Sequence, residues 1–285
     1  MSYPPSDYPA GDFYAMKKNM KKIAIVAGGS SGIGLEITKA LILKDYFVYT
    51  MSRREFLSLP QEKSKHISLD ITDEENLTKS FSDIWEKEGR IDLAVCAAGF
   101  GISGAVEFTS LEEAKKQMDV NFFGAFLFIK TAASYMRPQS FGKIFVISSI
   151  AGEIAIPFQG FYSASKAAIG KLLEAFSAEL QPFGVDCALI MPGDVATPFT
   201  AARNKSNLGD DAYSGRISKS VSKMEKDEQK GMSPEKLGKF VASLAEKRKA
   251  GFLYPYNRTY SFLLLLYRIL PRSLALFIIK KLYAE

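Results

Sequence analysis

Cysteine is scarce in this chain: only Cys96 and Cys187 occur among 285 residues, and each lies inside a short apolar run. Two isolated thiols provide neither a disulfide framework nor the ligand spacing of a metal site. No metal is therefore expected, and the cysteine usage is typical of a protein from the reducing cytosol.

Long apolar runs and long basic runs are missing as well. The N-terminal region has no apolar core of a signal peptide, and its prolines predict a disordered extension over residues 1–20. No basic run with interleaved aromatics indicates a nucleic-acid groove, so the net charge of +6 suggests only a mild preference for anionic ligands. No apolar run reaches the ~20 residues that a membrane-spanning helix needs.

The chain does contain a regular alternation of short β-branched runs with longer segments of helical period. It predicts an α/β fold: a single Rossmann domain over residues 21–255, with a doubly wound, seven-stranded parallel sheet and helices on both faces. The strands are predicted at 23–27, 46–51, 66–69, 93–97, 143–148, 186–191 and 251–254. The helices are predicted at 33–44, 74–88, 111–137, 161–181 and 234–248.

Two segments fall outside this alternation. Residues 199–232 are rich in Lys, Asp, Ser and Gly and are too long for an ordinary connection, so they form either a substrate lid, which we favour, or a disordered insertion. Residues 256–285 hold two apolar stretches separated by Pro271. This tail is expected to cap the substrate pocket, to build a subunit interface, or to lie on a membrane surface with Lys280 and Lys281 facing the headgroups, in that order of preference.

A glycine-rich turn, GGSSGIG, joins the first predicted strand to the first helix. Such a turn lets a pyrophosphate approach backbone N–H groups at the positive end of the helix. Its spacing differs from the general GxGxxG pattern, so the turn alone is also compatible with a plain tight turn. The candidate phosphate-binding residues are Gly28, Ser30, Ser31, Gly32, Ile33 and Gly34.

The second predicted strand ends in Ser52, Arg53 and Arg54, where an NAD-binding fold would place an acidic residue for the ribose hydroxyl. Two guanidinium groups instead suit a 2′-phosphate. The alternative is that the arginines are solvated surface charges, but the absence of an acidic residue before Glu55 favours NADP(H). Asp70 closes the third strand and is placed to accept a hydrogen bond from the adenine amino group. Taken alone, it would be only a turn residue.

Tyr162 and Lys166 are four residues apart on a predicted helix and so share one face, while Ser149 ends the preceding strand. A nearby ammonium group favours the phenolate, so Lys166 is expected to lower the pKa of Tyr162 and make it a usable proton donor or acceptor. Ser149 would hydrogen-bond the substrate oxygen. Without other motifs, Tyr162 could be a buried aromatic and Lys166 a solvated charge.

These motifs occur together in the order and spacing of the classical short-chain dehydrogenase/reductase family, which the chain closely resembles over residues 20–255. The resemblance is carried by GGSSGIG, the arginine-ended second strand, Asp70, CAAG at 96–99, Asn121, Ser149, YSASK at 162–166 and PGDVAT at 192–197. One position departs from the family pattern, because Ala97 stands where an asparagine that supports the sheet is usual. Several segments look similar to the branch that holds 17β-hydroxysteroid and retinol dehydrogenases.

The resemblance also implies roles that the residues themselves do not reveal. Asn121 would hold a helix irregularity and a water that links Lys166 to a proton relay, and the PGDVAT segment would line the nicotinamide. Tyr162 and Lys166 would contact the cofactor as well as the substrate. The remaining cofactor-binding residues implied in this way are Ile71, Ala98, Gly99, Pro192, Gly193, Val195 and Thr197.

The sequence therefore predicts an NADPH-dependent oxidoreductase acting on a carbonyl or alcohol carbon. An apolar set around the reacting centre favours a lipophilic substrate over a sugar or an acyl-carrier-bound β-keto compound. This set is Phe100, Ile154, Ile156, Phe158, Phe161 and Phe199. The rival hypothesis is a catalytically silent subunit that binds dinucleotide, but the intact Ser149, Tyr162 and Lys166 favour activity. A homodimer or homotetramer is expected from the resemblance.

Overall fold

The computed structural model describes residues 21–54 and 59–283. The extension predicted for residues 1–20 lies outside the described residues. Seven parallel strands form one sheet in the order β3-β2-β1-β4-β6-β7-β9, and two short strands, β5 and β8, pair separately. The strands are β1 Lys22–Ala27, β2 Tyr46–Ser52, β3 Ser64–Ser68, β4 Leu93–Cys96, β5 Ile102–Ser103, β6 Gly142–Ile147, β7 Val185–Met191, β8 Asn204–Lys205 and β9 Leu253–Pro255.

Helices cover both faces of the sheet, as the sequence predicts. α1 and α8 pack on one face, while α2, α4 and α5 pack on the other. The α-helices are α1 Gly32–Ile42, α2 Glu74–Glu88, α3 Leu111–Met118, α4 Ala125–Gln139, α5 Gly160–Leu180, α6 Phe199–Ala202, α7 Arg216–Gln229, α8 Pro234–Ala245, α9 Arg258–Ile269 and α10 Arg272–Tyr283. The doubly wound α/β fold is thus confirmed.

The strand order indicates where a ligand site would lie. β1 pairs with β2 on one side and with β4 on the other, so the direction of winding reverses between β1 and β4. In open parallel sheets, ligands bind outside the carboxyl ends of the strands at such a reversal. The buried positions of the central strands include Ile23, Ile25 and Val95, each fully or almost fully inaccessible to solvent. This apolar sheet holds the loops that follow its strands in fixed positions.

Local signals explain where the helices begin and end. Asp73 caps α2 by accepting a hydrogen bond from the Asn76 N–H, and Gly89 ends the helix in the left-handed conformation. Ser233 caps α8 and Pro234 occupies its first turn, as predicted. The single helix predicted over 111–137 is instead two α-helices joined by a π-helical segment at Asp119–Gly124. The expectation of an irregularity at Asn121 comes from the family resemblance, because single-turn π segments have no sequence signature of their own.

The two segments outside the alternation are both helical in part. The candidate lid contains α6 and α7, and buried Ile217, Val221 and Met224 of α7 pack against Ala105 near the sheet. Movement of this lid stays a prediction. The tail consists of α9 and α10, and no helix within residues 21–54 and 59–283 is long and apolar enough to cross a bilayer.

Candidate active site

The glycine-rich turn leaves no room for side chains at two positions. Gly28 has φ +77°, and a Cβ there would lie 2.8 Å from the backbone nitrogen of Ala98. A Cβ at Gly34 would lie 2.2 Å from the carbonyl oxygen of Gly28. α1 begins directly after Ser31, which makes no side-chain cap, and its first turn has no acidic residue. The turn therefore presents backbone N–H groups and a positive helix end that fit a pyrophosphate.

The end of β2 lies beside the end of β3, as the predicted ribose site requires. Ser52 Oγ donates to the carbonyl oxygen of Arg54 at 2.6 Å. The Arg53 side chain is 78% exposed and lies 3.9 Å from Asp70 Oδ2. Asp70 Oδ1 accepts hydrogen bonds from the backbone and hydroxyl of Thr72, at 3.0 and 2.8 Å. The guanidinium of Arg53 is thus in solvent at the sheet edge, where an added phosphate can reach it.

The predicted reacting centre comes together around the start of α5. Ser149 follows β6 in an extended conformation, and its Oγ accepts from the Ala151 N–H at 3.1 Å. The Ser149 hydroxyl is close enough to the Tyr162 phenol to lower its pKa. Lys166 Nζ lies 5.9 Å from the Tyr162 ring centre and donates to the carbonyl oxygen of Ile147 at 3.0 Å. The three side chains that the sequence singles out therefore converge at the carboxyl edge of the sheet.

Burial sets the protonation of this centre. Desolvation lowers the pKa of Lys166 to about 8, because the charged ammonium loses its water in the interior. Desolvation raises the pKa of Tyr162, and the nearby Ser149 hydroxyl acts in the opposite direction. Tyr162 is thus a protonated phenol in this structure. The lowering of its pKa by Lys166 remains a prediction for the enzyme with its cofactor bound.

Asn121 lies in the π-helical segment, so the structure places it at the expected helix irregularity. Its side-chain oxygen accepts from the Phe100 N–H at 3.0 Å. Its amide nitrogen donates to the Phe100 carbonyl at 2.9 Å and to Ser165 Oγ at 3.1 Å. A Cβ on Gly99 would lie 3.2 Å from Asn121 Oδ1 and 3.5 Å from Lys166 Nζ. Asn121 therefore fixes the segment after β4 against α5. Because Gly99 has no side chain, this segment can lie close to Lys166.

The segment after β7 returns to the glycine turn. Thr197 lies against Gly32, because a Cβ added to Gly32 would be 3.5 Å from the Thr197 side chain. Val195 forms an isolated parallel bridge with Met232, and the Ala196 N–H donates to the Met232 carbonyl. The Pro192 carbonyl accepts from the Ile150 N–H at 3.0 Å. These residues, 192–197, are the segment predicted to line the nicotinamide and are called the nicotinamide loop below. The loop joins the glycine turn to the segment that carries Ser149. The implied cofactor residues Ile71 and Ala98 also lie in loops that follow strands of the sheet.

The candidate lid, residues 199–232, contributes an aromatic ring to the predicted reacting centre. Phe199 contacts the Tyr162 ring at a centroid distance of 5.8 Å. Phe158 and Ile156 of the predicted apolar set pack on the α7 cluster, whereas Ile154 packs on the main core. The structure therefore divides this set: Phe199, Phe158 and Ile156 lie on the side of the site that the candidate lid forms. Phe161 borders a small cleft beside β5, and Phe100 is fixed through its backbone to Asn121.

Several residues at the site carry no sequence signal. The buried Arg203 forms an ion pair with Glu228 of α7, and Glu228 also accepts from Thr200 Oγ1 at 2.6 Å. Arg203 lies over the Phe199 ring, and its Nε and Nη1 have no hydrogen-bond partner among the described residues. Tyr260 of α9 donates to Asp194 at 2.8 Å. These contacts join segments far apart in sequence, and only an alignment of relatives could have singled out the residues.

Comparisons with known proteins agree with this geometry. The short chain dehydrogenase family model matches residues 22–208. The 3-ketodihydrosphingosine reductase of Bacteroides thetaiotaomicron is 36% identical over 233 residues, which cover 81% of this chain and 86% of that protein.

Solved structures share the fold. A short-chain dehydrogenase from Streptomyces avermitilis superposes with a TM-score of 0.80 at 25% identity, over 89% of this chain and 94% of that one. ElxO with NADP bound superposes with a TM-score of 0.71 at 26% identity, over 85% of this chain and 100% of that one. The chain therefore belongs to the short-chain dehydrogenase/reductase family of oxidoreductases.

Proposed function

We propose that this oxidoreductase uses NADP(H) to interconvert a carbonyl and a secondary alcohol on a lipophilic substrate. The observation that carries the proposal is the convergence of Ser149, Tyr162 and a buried Lys166 beside a glycine turn that excludes side chains. Such a centre combines a proton donor, a hydrogen-bond donor for the substrate oxygen and a buried cation in one place.

The residues present fit a dinucleotide. The backbone of Gly28–Gly34 would hold the pyrophosphate, Arg53 and Arg54 the 2′-phosphate, Asp70 the adenine, and the nicotinamide loop the carboxamide. Arg53 has the exposure such a role needs, and the phosphate would replace its long contact with Asp70 by a charge-assisted hydrogen bond. When bound, the cofactor supplies the hydride.

The chain supplies the proton chemistry. In the reducing direction the Tyr162 hydroxyl donates its proton to the substrate oxygen, and its raised pKa keeps that proton in place beforehand. Ser149 donates a hydrogen bond to the same oxygen and positions it. Lys166, held by the Ile147 carbonyl, is mostly protonated at neutral pH and provides a positive charge near Tyr162. Asn121 positions the Gly99 segment against Lys166.

The substrate is proposed to be a lipid with a polar end, such as a long-chain 3-keto compound, a steroid or a retinoid. Phe199, Phe158 and Ile156 give the lid side an apolar lining. A relative named as a 3-ketodihydrosphingosine reductase supports the same substrate class.

The proposal extends to the enzyme's setting: a cytosolic homodimer or homotetramer that contacts a membrane only peripherally, through its tail. The two free, buried cysteines support a reducing compartment. The mass of the enzyme in solution tests the oligomer.

A screen of NADPH oxidation tests the function, with 3-keto lipids, steroids, retinoids and aromatic ketones as substrates and Tyr162→Phe as the matched control. Turnover of at least one lipophilic ketone by the wild type, and its loss in the variant, is expected. NADPH binding without turnover of any compound would instead support the silent subunit. Equal rates for wild type and Tyr162→Phe would contradict the assigned chemistry.

A further inference from the structure

The tail exposes an unusual concentration of apolar side chains. Among the described residues, nine of the fifteen exposed large hydrophobic residues lie in α9 and α10. Phe262, Leu265 and Ile269 follow helical spacing along α9, and Leu274, Phe277 and Ile278 do so along α10, so each set shares a face of its helix. Apolar patches of this kind on a soluble protein mark an interaction surface.

The charge of the same segment indicates the partner. Residues 258–283 contain five basic residues and no acidic one, namely Arg258, Arg268, Arg272, Lys280 and Lys281. A second copy packed tail to tail would bring these like charges together, because a two-fold interface pairs the same surface with itself. An anionic lipid surface instead offers both opposite charge and an apolar interior.

The dimensions favour binding on the surface over insertion across it. Each tail helix has 12 residues. At ~1.5 Å per residue each is about 18 Å long, well short of the ~30 Å hydrocarbon core. Basic residues near the helix ends and apolar residues along the faces are the pattern of helices that lie in the interface.

The opposite faces of the tail are fixed to the catalytic body. Leu264, Ala275 and Ile279 are buried. The Tyr260 ring occupies the space beside Gly193 in the nicotinamide loop, where a Cβ would lie 1.9 Å from the ring. Tyr283 packs on the α7 cluster of the lid. A membrane bound by the exposed faces would therefore lie next to the lid and the reacting centre.

We infer that α9 and α10 form an amphipathic anchor that binds the surface of an anionic membrane. Their exposed apolar faces enter the headgroup region, and their arginines and lysines contact lipid phosphates. The inference deepens the peripheral contact in the proposed function, but its test needs no turnover, so failure of the reductase assignment would leave it standing.

Co-sedimentation of the full chain with vesicles tests the anchor. One set of vesicles is phosphatidylcholine alone, and the other contains phosphatidylglycerol. Binding is expected only to the second set and should weaken as salt is raised. Phe262→Ser/Phe277→Ser should reduce it at least tenfold, whereas the matched double variant Leu43→Ser/Phe183→Ser, on exposed positions of the body, should not.

Lys280→Glu/Lys281→Glu provides an independent test, because exposed charges can be reversed without emptying the core. It should also reduce binding to the anionic vesicles at least tenfold. Absence of binding by the folded wild type at low salt would overturn the inference. So would a tail-dependent dimer, in which Phe262→Ser/Phe277→Ser halves the mass in solution while vesicle binding stays unchanged.

Discussion

The carboxyl edge of the sheet and the C-terminal tail differ in what they bury. At the sheet edge, polar Lys166 and Asn121 are buried and each has hydrogen-bond partners. In the tail, apolar residues such as Phe262 and Ile269 are more than half exposed. A buried polar group costs free energy unless it is satisfied, and an exposed apolar one costs free energy unless it is covered. The polar groups of the first region are satisfied within the protein, whereas the second leaves apolar side chains uncovered, as our proposed membrane anchor requires.

Tyr260 provides a direct contact between the two regions. Tyr260 of α9 packs its ring on Gly193, and its hydroxyl bonds to Asp194, both in the nicotinamide loop. The pKa of Asp194 is raised by burial and lowered again by this hydrogen bond. The site therefore depends on the tail for part of its hydrogen bonding, even though no catalytic side chain comes from the tail.

Tyr162→Phe should have the largest effect, because it removes the proton-donating oxygen and little else. We expect turnover to fall by at least about a hundredfold, while NADPH affinity and the melting temperature stay close to wild type. Steady-state kinetics, fluorescence titration with NADPH and thermal unfolding measure the three quantities. A variant that retains more than a tenth of wild-type turnover would show that another group donates the proton.

The pKa of Lys166 predicts a pH dependence of stability in the cofactor-free protein. Its pKa is about 8 when folded and near 10.5 when unfolded, so the unfolded chain binds more protons between these values. Stability contributed by this position therefore rises with pH across that interval. Relative to Lys166→Met, which cannot titrate, the free energy of unfolding of the wild type should increase by about 2 kcal/mol from pH 7.5 to pH 10.

Urea unfolding of both proteins at the two pH values checks this result. The lost hydrogen bond to Ile147 shifts Lys166→Met by an amount that does not depend on pH, so only the change between pH values counts. A constant difference between the two proteins would mean that Lys166 keeps an ordinary pKa and is less desolvated than its position implies.

The sheet and most of the helices were predictable because their signals are local. The seven strands lie within two residues of their predicted starts and ends, since short β-branched runs and glycine or proline boundaries define them. The convergence of Ser149, Tyr162 and Lys166 was predictable because residues four apart share a helix face and Ser149 ends the preceding strand. Their catalytic roles stay predictions that rest on the family resemblance. The Arg203–Glu228 pair and the contact of Tyr260 with Asp194 were not, because they join distant segments that no motif connects.

Arg53→Asp tests a part of the site that is as exposed as the tail. The change replaces a cation that suits a 2′-phosphate by a carboxylate that suits a ribose hydroxyl. The ratio of NADPH to NADH affinity should fall at least tenfold, or about 1.4 kcal/mol. Fluorescence titration with both cofactors measures it, and Arg248→Asp, an exposed arginine before β9, is the matched control. An equal ratio in both variants would remove Arg53 from the cofactor site.

Tyr260→Phe should have the smallest effect, and it tests whether the two regions are coupled. The variant keeps the ring against Gly193 but removes the hydroxyl that donates to Asp194 at 2.8 Å and accepts from its N–H at 3.1 Å. Loosening the nicotinamide loop in this way should raise the Kd for NADPH about threefold, less than 1 kcal/mol. Tyr267→Phe on the same helix is the matched control, because its buried hydroxyl has no hydrogen-bond partner among the described residues. If both variants bind NADPH as the wild type does, the tail only packs on the loop, and the catalytic region is organised without it.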